Sequence, residues 1–165
     1  MRVKRHILCL DVSLRNIGYA VFDFPQERIL CVGVMRTQRK KGTRLADNFR
    51  CLSELLAQLD AVASRFSIAF VLAEFPTGGS MNAHASNTMG LVTGMLFAWL
   101  KGRHYHFKAI RPMEIKRLIR PKGAVSKEDV QDFVRRKYGS SVLPKQRWRE
   151  HIADAIACYD AFARR

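Results

Sequence analysis

Ile7-Leu8-Cys9-Leu10-Asp11-Val12-Ser13-Leu14-Arg15-Asn16-Ile17-Gly18-Tyr19-Ala20-Val21-Phe22-Asp23 is the stretch on which the fold turns. Ile7 to Leu10 are apolar without a break, the pattern of a central strand covered on both faces. Asp11 ends that run. A carboxylate there either caps a turn or is kept for chemistry, because an unpaired buried charge is costly. Ser13, Arg15, Asn16 and Gly18 supply turn chemistry and reverse the chain into a second strand, from about Ile17 to Phe24. Taken alone, the stretch supports a capped β-turn as well as it supports a functional site.

Working outward, Pro25-Gln26-Glu27-Arg28 leads into a third strand, Ile29 to Met35, and the short connections predict an antiparallel meander. Leu45 to Phe66 carries Leu45, Phe49, Leu52, Leu55, Leu56, Leu59, Val62 and Ala63 at helical spacing. Ile68 to Ala73 is a second unbroken apolar run, and it too ends in a carboxylate, Glu74. A turn-rich loop, Phe75 to Ser80, follows. Ala83 to Leu100 is predicted helical, with Ser86, Gly90, Gly94 and Ala98 as a small-residue stripe. That stripe suits close approach of another backbone, either the sheet of the same fold, which is the plainer reading, or a partner subunit. Tyr105 to Ile110 reads as a fifth strand and Pro112 opens a short helix through Leu118. Ser126 and Asp129 form a capping-box-like start for a helix to about Tyr138, and a last helix spans roughly Arg149 to Ala163. The element order predicts an α/β fold with a mixed five-stranded sheet flanked by helices, in one domain over residues 1–165.

Composition narrows the partners. Lys and Arg number 29 against 14 Asp and Glu, a formal net charge of +15 in 165 residues. So strong a basic balance points to a nucleic-acid partner. Five of the nine residues from Arg36 to Arg44 are cationic. Arg39, Lys40 and Lys41 are therefore expected to form a flexible phosphate-contacting arm rather than an idle solvated loop. Cys9, Cys31, Cys51 and Cys158 lack metal-ligand spacing and read as small core residues in a reducing compartment. With no apolar stretch near the ~18 residues of a membrane span and no signal-peptide pattern, a cytoplasmic protein is expected.

Asp11 and Glu74 end two separate apolar strands, so their carboxylates converge if those strands are neighbours. In the last helix His151 and Asp154 are three apart and share a face. A lone Asp in an Ala- and Ile-rich helix is ordinarily an exposed edge residue. Asp11, Glu74, His151 and Asp154 together instead make an oxygen-rich set suited to Mg²⁺ or Mn²⁺.

With these residues in view, the chain resembles the RuvC-type Holliday-junction resolvases of the RNase H-like superfamily. Leu10 to Tyr19 resembles that family's first-strand motif, with Val12-Ser13 where Pro-Gly is common. Leu72-Ala73-Glu74-Phe75 resembles the second carboxylate segment, and Met89-Gly90-Leu91-Val92-Thr93-Gly94 the helix after it. Pro112 to Lys116 and Ala124 to Val130 resemble the segment holding two functional lysines. His151-Ile152-Ala153-Asp154-Ala155 resembles the final acidic motif, where many members carry Asp at the first position and some carry His.

The resemblance implies an RNase H-like fold and a homodimeric crossover junction endodeoxyribonuclease of DNA recombination and repair, acting on four-way junctions. It implies two Mg²⁺ or Mn²⁺ ions per active site. Asp11 would be the bridging ligand, with Glu74 on one ion and His151 and Asp154 on the other. Lys116 and Lys127 would stand near the scissile phosphate, and the helix 83–100 would form the dimer contact. The family's loop aromatic after the second carboxylate has no clear counterpart, since Phe75 is too close to Glu74 and Thr77 holds the comparable place. Two other classes fit the residues less well. One is a non-catalytic branched-DNA-binding member of the fold; the other is an actin-like phosphate-binding domain, to which Asp11 to Gly18 bears a faint likeness.

Overall fold

The computed structural model describes residues 5–75, 83–145 and 147–164. Three strands come first: β1 (His6–Asp11), β2 (Asn16–Asp23) and β3 (Arg28–Arg36). They are followed by α1 (Arg44–Ala63), β4 (Ile68–Glu74), α2 (Ala83–Gly102) and β5 (His106–Ile110). The chain continues with α3 (Pro112–Ile119), α4 (Lys127–Tyr138), a 3₁₀ turn (Ser140–Val142) and α5 (Arg149–Ala163). The strands form one mixed sheet in the order β3-β2-β1-β4-β5. β1, β2 and β3 pair antiparallel as a meander, and β4 pairs parallel with both β1 and β5. This is the α/β architecture expected from the alternation of apolar runs and helical periods.

Strand alternation assigns the two layers. Leu8 and Leu10 of β1 pack with Val21, Val71 and Ala73, against Cys51, Leu55 and Leu59 of α1 and Val92, Leu96 and Trp99 of α2. Ile7 and Cys9 face the other way with Ala20, Phe22 and Leu72, against α3, α4 and α5. β1 is thus covered on both sides, which is why its sequence is apolar without alternation. On α5, Ala153, Ala155, Ala157 and Ala161 are all buried, and their small side chains let the helix lie close to the sheet. Truncating a fully buried side chain such as Leu10 to Ala would cost about 2–5 kcal/mol.

Helix ends follow local chemistry. Ser126 caps α4 by accepting from the Asp129 backbone N–H, while Asp129 accepts from the Ser126 N–H at 2.8 Å. Gly139, at φ 89°, ends that helix in a conformation other residues avoid.

Three expectations need correction. The stripe Ser86, Gly90, Gly94 and Ala98 does not pack on the sheet: all four residues are exposed, and a Cβ added at Gly90 or Gly94 would meet nothing within 4 Å. Val92, Leu96, Trp99 and Leu100 take the inward face of α2 instead. In α1, Leu45 and Phe49 are exposed, while Asp47, Asn48 and Cys51 take the buried face of the first turns.

The third concerns the basic segment after β3, which is a pinned loop and not a free arm. Thr37 N–H donates to the Arg15 carbonyl at 3.0 Å, and Lys40 N–H donates to Asp47 Oδ1 at 3.0 Å. Arg50 also donates to the Gln38 carbonyl. Cys9, Cys51 and Cys158 are buried and Cys31 is half-buried, all as free thiols. Among the described residues no helix is long and apolar enough to cross a membrane.

Candidate active site

The parallel pairing of β1 with β4 sets Asp11 directly opposite Glu74. Cys9 and Leu72 face the α5 layer, and side chains alternate along a strand. Asp11 and Glu74, each two residues further on, therefore project to that same side at the C-terminal edge of the sheet. β2 supplies the third strand of the edge, with Gly18 paired to Asp11.

α5 begins over that edge. A Cβ on Gly18 would lie 2.1 Å from the His151 carbonyl oxygen, so the helix backbone occupies the space a side chain would need. The requirement for Gly at this position is close approach, a reason additional to its turn chemistry. The approach carries His151 to Asp11: Nδ1 lies 2.6 Å from Asp11 Oδ2. An ionised carboxylate can only accept, so Nδ1 carries the proton and, in the neutral ring, Nε2 is the free nitrogen. The helical spacing set His151 beside Asp154; the structure joins it to Asp11 as well, across 140 residues.

The electrostatics are those of crowded, poorly compensated acids. Burial pushes Glu74 up to about 8, helped by Asp154 and Asp11 and opposed by Lys116. Burial likewise pushes Asp154 up to about 7, with Asp11 adding to the rise and His151 and Lys127 opposing it. The bond to Asp11 raises the His151 imidazole above its usual value, and burial partly offsets this. Strongly perturbed acids gathered at one edge are a recognised mark of a functional site.

The lysines lie at the rim. Lys116 is exposed on α3, and its charge is felt at Glu74. Lys127 opens α4 and pairs with Glu150 at 2.9 Å. Arg39, Lys40 and Lys41 are exposed, and Arg39 and Lys40 border a separate cleft of about 450 Å³, with Ser13, Arg15 and Thr88 also in its lining. Phe75 packs between Phe97 and Phe107, with ring centroids 5.9 and 6.0 Å away, on the α1–α2 side of the sheet. Thr77 and the rest of the turn-rich loop from Pro76 onward lie outside the described residues.

Trp148 and Glu150 were missed in the sequence. Trp148 stacks near His151, with centroids 6.1 Å apart, and Arg36 lies 4.5 Å over its ring. Position three before His151 was the available signal, but no periodicity marks a residue that precedes a helix.

Asp11, Glu74 and Asp154 offer hard oxygen donors and His151 one nitrogen, a set that fits Mg²⁺ or Mn²⁺ in chemistry. The like-charge crowding that raises Glu74 and Asp154 is what a bound cation would relieve. Among the described residues no three such side chains are already closed into a cage, so the set is adjacent rather than preformed.

No protein-family model matches the sequence, and no curated protein matches it. The structure does find relatives in fold. Thermus thermophilus RuvC, solved in complex with a Holliday junction substrate, superposes with a TM-score of 0.77 at 20% identity, covering 96% of this chain and 93% of that one. A second T. thermophilus RuvC structure gives 0.74 at 20% identity over 96% and 95%. The yeast mitochondrial Holliday junction resolvase Ydc2 gives 0.63 at 14% identity, over 99% of this chain and 80% of that one. The chain therefore has the RuvC, RNase H-like fold, and the sequence resemblance and the structural likeness point to the same group.

Proposed function

We propose that this protein is a divalent-metal-dependent endonuclease that cuts branched DNA, with four-way junctions as its preferred substrate. One observation carries the reading. Asp11, Glu74 and Asp154 converge at the C-terminal edge of two neighbouring parallel strands, where burial and like charge outweigh the nearby Lys116, Lys127 and His151. The basic composition and the fold shared with a protein solved on a Holliday junction support DNA as the substrate.

The reaction is hydrolysis of a phosphodiester. Water oxygen bonds to phosphorus in line with the departing 3′ oxygen, which leaves with the bonding electrons and takes up a proton. Divalent ions held by Asp11, Glu74, Asp154 and His151, two per active site, would supply an activated water and neutralise charge on the leaving oxygen. The protein's own groups do the rest. Asp11 Oδ2 fixes the His151 ring and leaves Nε2 as the nitrogen open to a ligand or a proton. Lys116 and Lys127 place positive charge at the rim, where negative charge grows on the phosphoryl oxygens. Arg39, Lys40 and Lys41 contact backbone phosphates away from the cut.

A homodimer is the working form, because two symmetric strands must be cut and a two-fold pair presents two sites. The exposed face of α2 is its contact. Ser86, Gly90, Leu91 and Gly94 form a shallow hollow there, and Phe97 is 49% exposed beside it. Sedimentation at micromolar concentration should show a dimer; a monomer that still resolves junctions would remove this part.

The deciding experiment is cleavage of matched four-way, three-way, flap and linear DNAs with Mg²⁺ or Mn²⁺. Paired, symmetric nicks in the four-way substrate are expected. Tight junction binding with no cutting under either ion would leave a binding protein on a nuclease fold.

A further inference from the structure

A second basic surface, unused so far, begins where the active site ends. Lys145, Arg147, Trp148 and Arg149 line a cleft of about 600 Å³ that runs up to His151. We propose that this cleft takes the sugar–phosphate backbone next to the scissile phosphate; the inference rests on the nuclease reading and extends it to residues outside the metal set and the basic loop.

Charge is the first support. Lys145, Arg147 and Arg149 are exposed and, among the described residues, none is in an ion pair. Arg36 adds a fourth cation above the Trp148 ring, at 4.5 Å. Two carboxylates share the lining. Glu150 is already tied to Lys127 at 2.9 Å, which leaves Glu128 against four cations. Cations set beside an aromatic wall are the usual make-up of a nucleic-acid track.

Conformation is the second support. Trp148 sits at φ 77°, a left-handed backbone that bulky residues seldom adopt. Arg36 and His151 flank its ring, so Arg36, Trp148, His151 and Asp11 form one continuous line from cleft to catalytic edge. An ordinary solvated turn has no need of that line.

The test uses full-length Asp11→Asn protein, to permit binding without cutting, and a labelled four-way junction. Log affinity is measured against log salt between about 50 and 200 mM. Replacing Lys145, Arg147 and Arg149 together by Ala should make the slope shallower by about 2–3, close to 0.9 per lost phosphate contact. Independently of any variant in the cleft, junction DNA should protect Trp148 from acrylamide quenching. Trp99, the second of the two tryptophans, is 5% exposed and gives a constant background. An unchanged slope, or equal quenching with and without DNA, overturns the inference while leaving the nuclease reading intact. Failure of the Asp11→Asn protein to bind junctions at all would sink both.

Discussion

Asp47 and the β1–β4 edge are two places where this fold holds acids out of water, and they are treated in opposite ways. Asp47 is 7% exposed, and its carboxylate receives Arg15 and Arg50, each at 2.7 Å, and the Lys40 N–H at 3.0 Å. Those partners, Arg50 foremost, hold its pKa well below the usual carboxylate range. Glu74 and Asp154 are pushed the other way, to about 8 and about 7, by burial and by one another's neighbours. A chain that carries 29 Lys and Arg could have compensated both. Asp47 is matched because it ties the β1–β2 turn, the basic loop and α1 together. At the edge, burial and like charge outweigh the opposing charges of Lys116, Lys127 and His151, as the proposed cation site requires.

The largest expected break between the two regions is in activity. Asp11→Asn, Glu74→Gln and Asp154→Asn should each lower junction cutting by on the order of 10⁴-fold, the scale on which single members of a catalytic constellation fail. Junction binding should persist, or tighten as negative charge is removed. Asp47→Asn should do the reverse, lowering the melting temperature while leaving the rate of cutting by folded protein nearly unchanged. Comparable turnover losses for Asp47→Asn and Glu74→Gln would dissolve the distinction.

Gly18→Ala sharpens it from the backbone side. The added methyl would meet the His151 carbonyl at 2.1 Å, so α5 must shift off β2 and carry His151 and Asp154 with it. A displacement near 1 Å can cost about 10²-fold in rate. A crystal structure of the variant with α5 unmoved and full activity would show that the edge tolerates slack.

Neutralising Arg39, Lys40 and Lys41 together should act on binding alone. The slope of log affinity against log salt should fall by up to about 3, with saturated turnover unaltered. An unchanged slope would reduce the pinned loop to solvated surface.

The smallest effect is on stability against pH. Glu74 and Asp154 have folded pKa values of about 8 and 7, above ordinary carboxylate values, so the folded state binds more protons across that interval. Stability from these groups is therefore greatest at low pH and falls as pH rises from about 4 to 8. His151, also raised, adds in the same direction as pH climbs through its folded pKa. Thermal melts of the ion-free protein should decline by a few degrees over that window, and the Glu74→Gln/Asp154→Asn variant should flatten the decline. A melting temperature that rises with pH in the unaltered protein but not in the variant would reverse the sign assigned to the cluster.

Much of this is legible in the sequence. Unbroken apolar runs located β1 and β4 to within a residue, and carboxylates at both ends placed the acidic edge. Ser126 and Asp129 marked the start of α4, and α5 was bounded as observed. What stayed hidden depends on which element covers which face. Helical periodicity grouped Leu45 and Phe49 with the core, yet no element covers them among the described residues, and Asp47 turns inward because Arg15 and Arg50 meet it. The small stripe of α2 was readable as a close-approach surface, but its direction was fixed by Val92 and Leu96 taking the sheet. The His151–Asp11 bond and the left-handed Trp148 arise from tertiary contact across the whole chain, and no local spacing encodes them.

If the acidic edge receives a divalent cation, calorimetric titration of Mn²⁺ into ion-free protein at pH 7 will show it. Run in two buffers of different ionisation enthalpy, the titration reports ion binding and proton release together. With Glu74 and Asp154 at about 8 and 7, binding must displace protons that these groups hold at that pH, on the order of one to two per chain. Saturable binding with that release is expected, lost in Glu74→Gln/Asp154→Asn and retained in Asp47→Asn. Binding that proceeds without proton release, or survives equally in the doubly substituted edge, would contradict it.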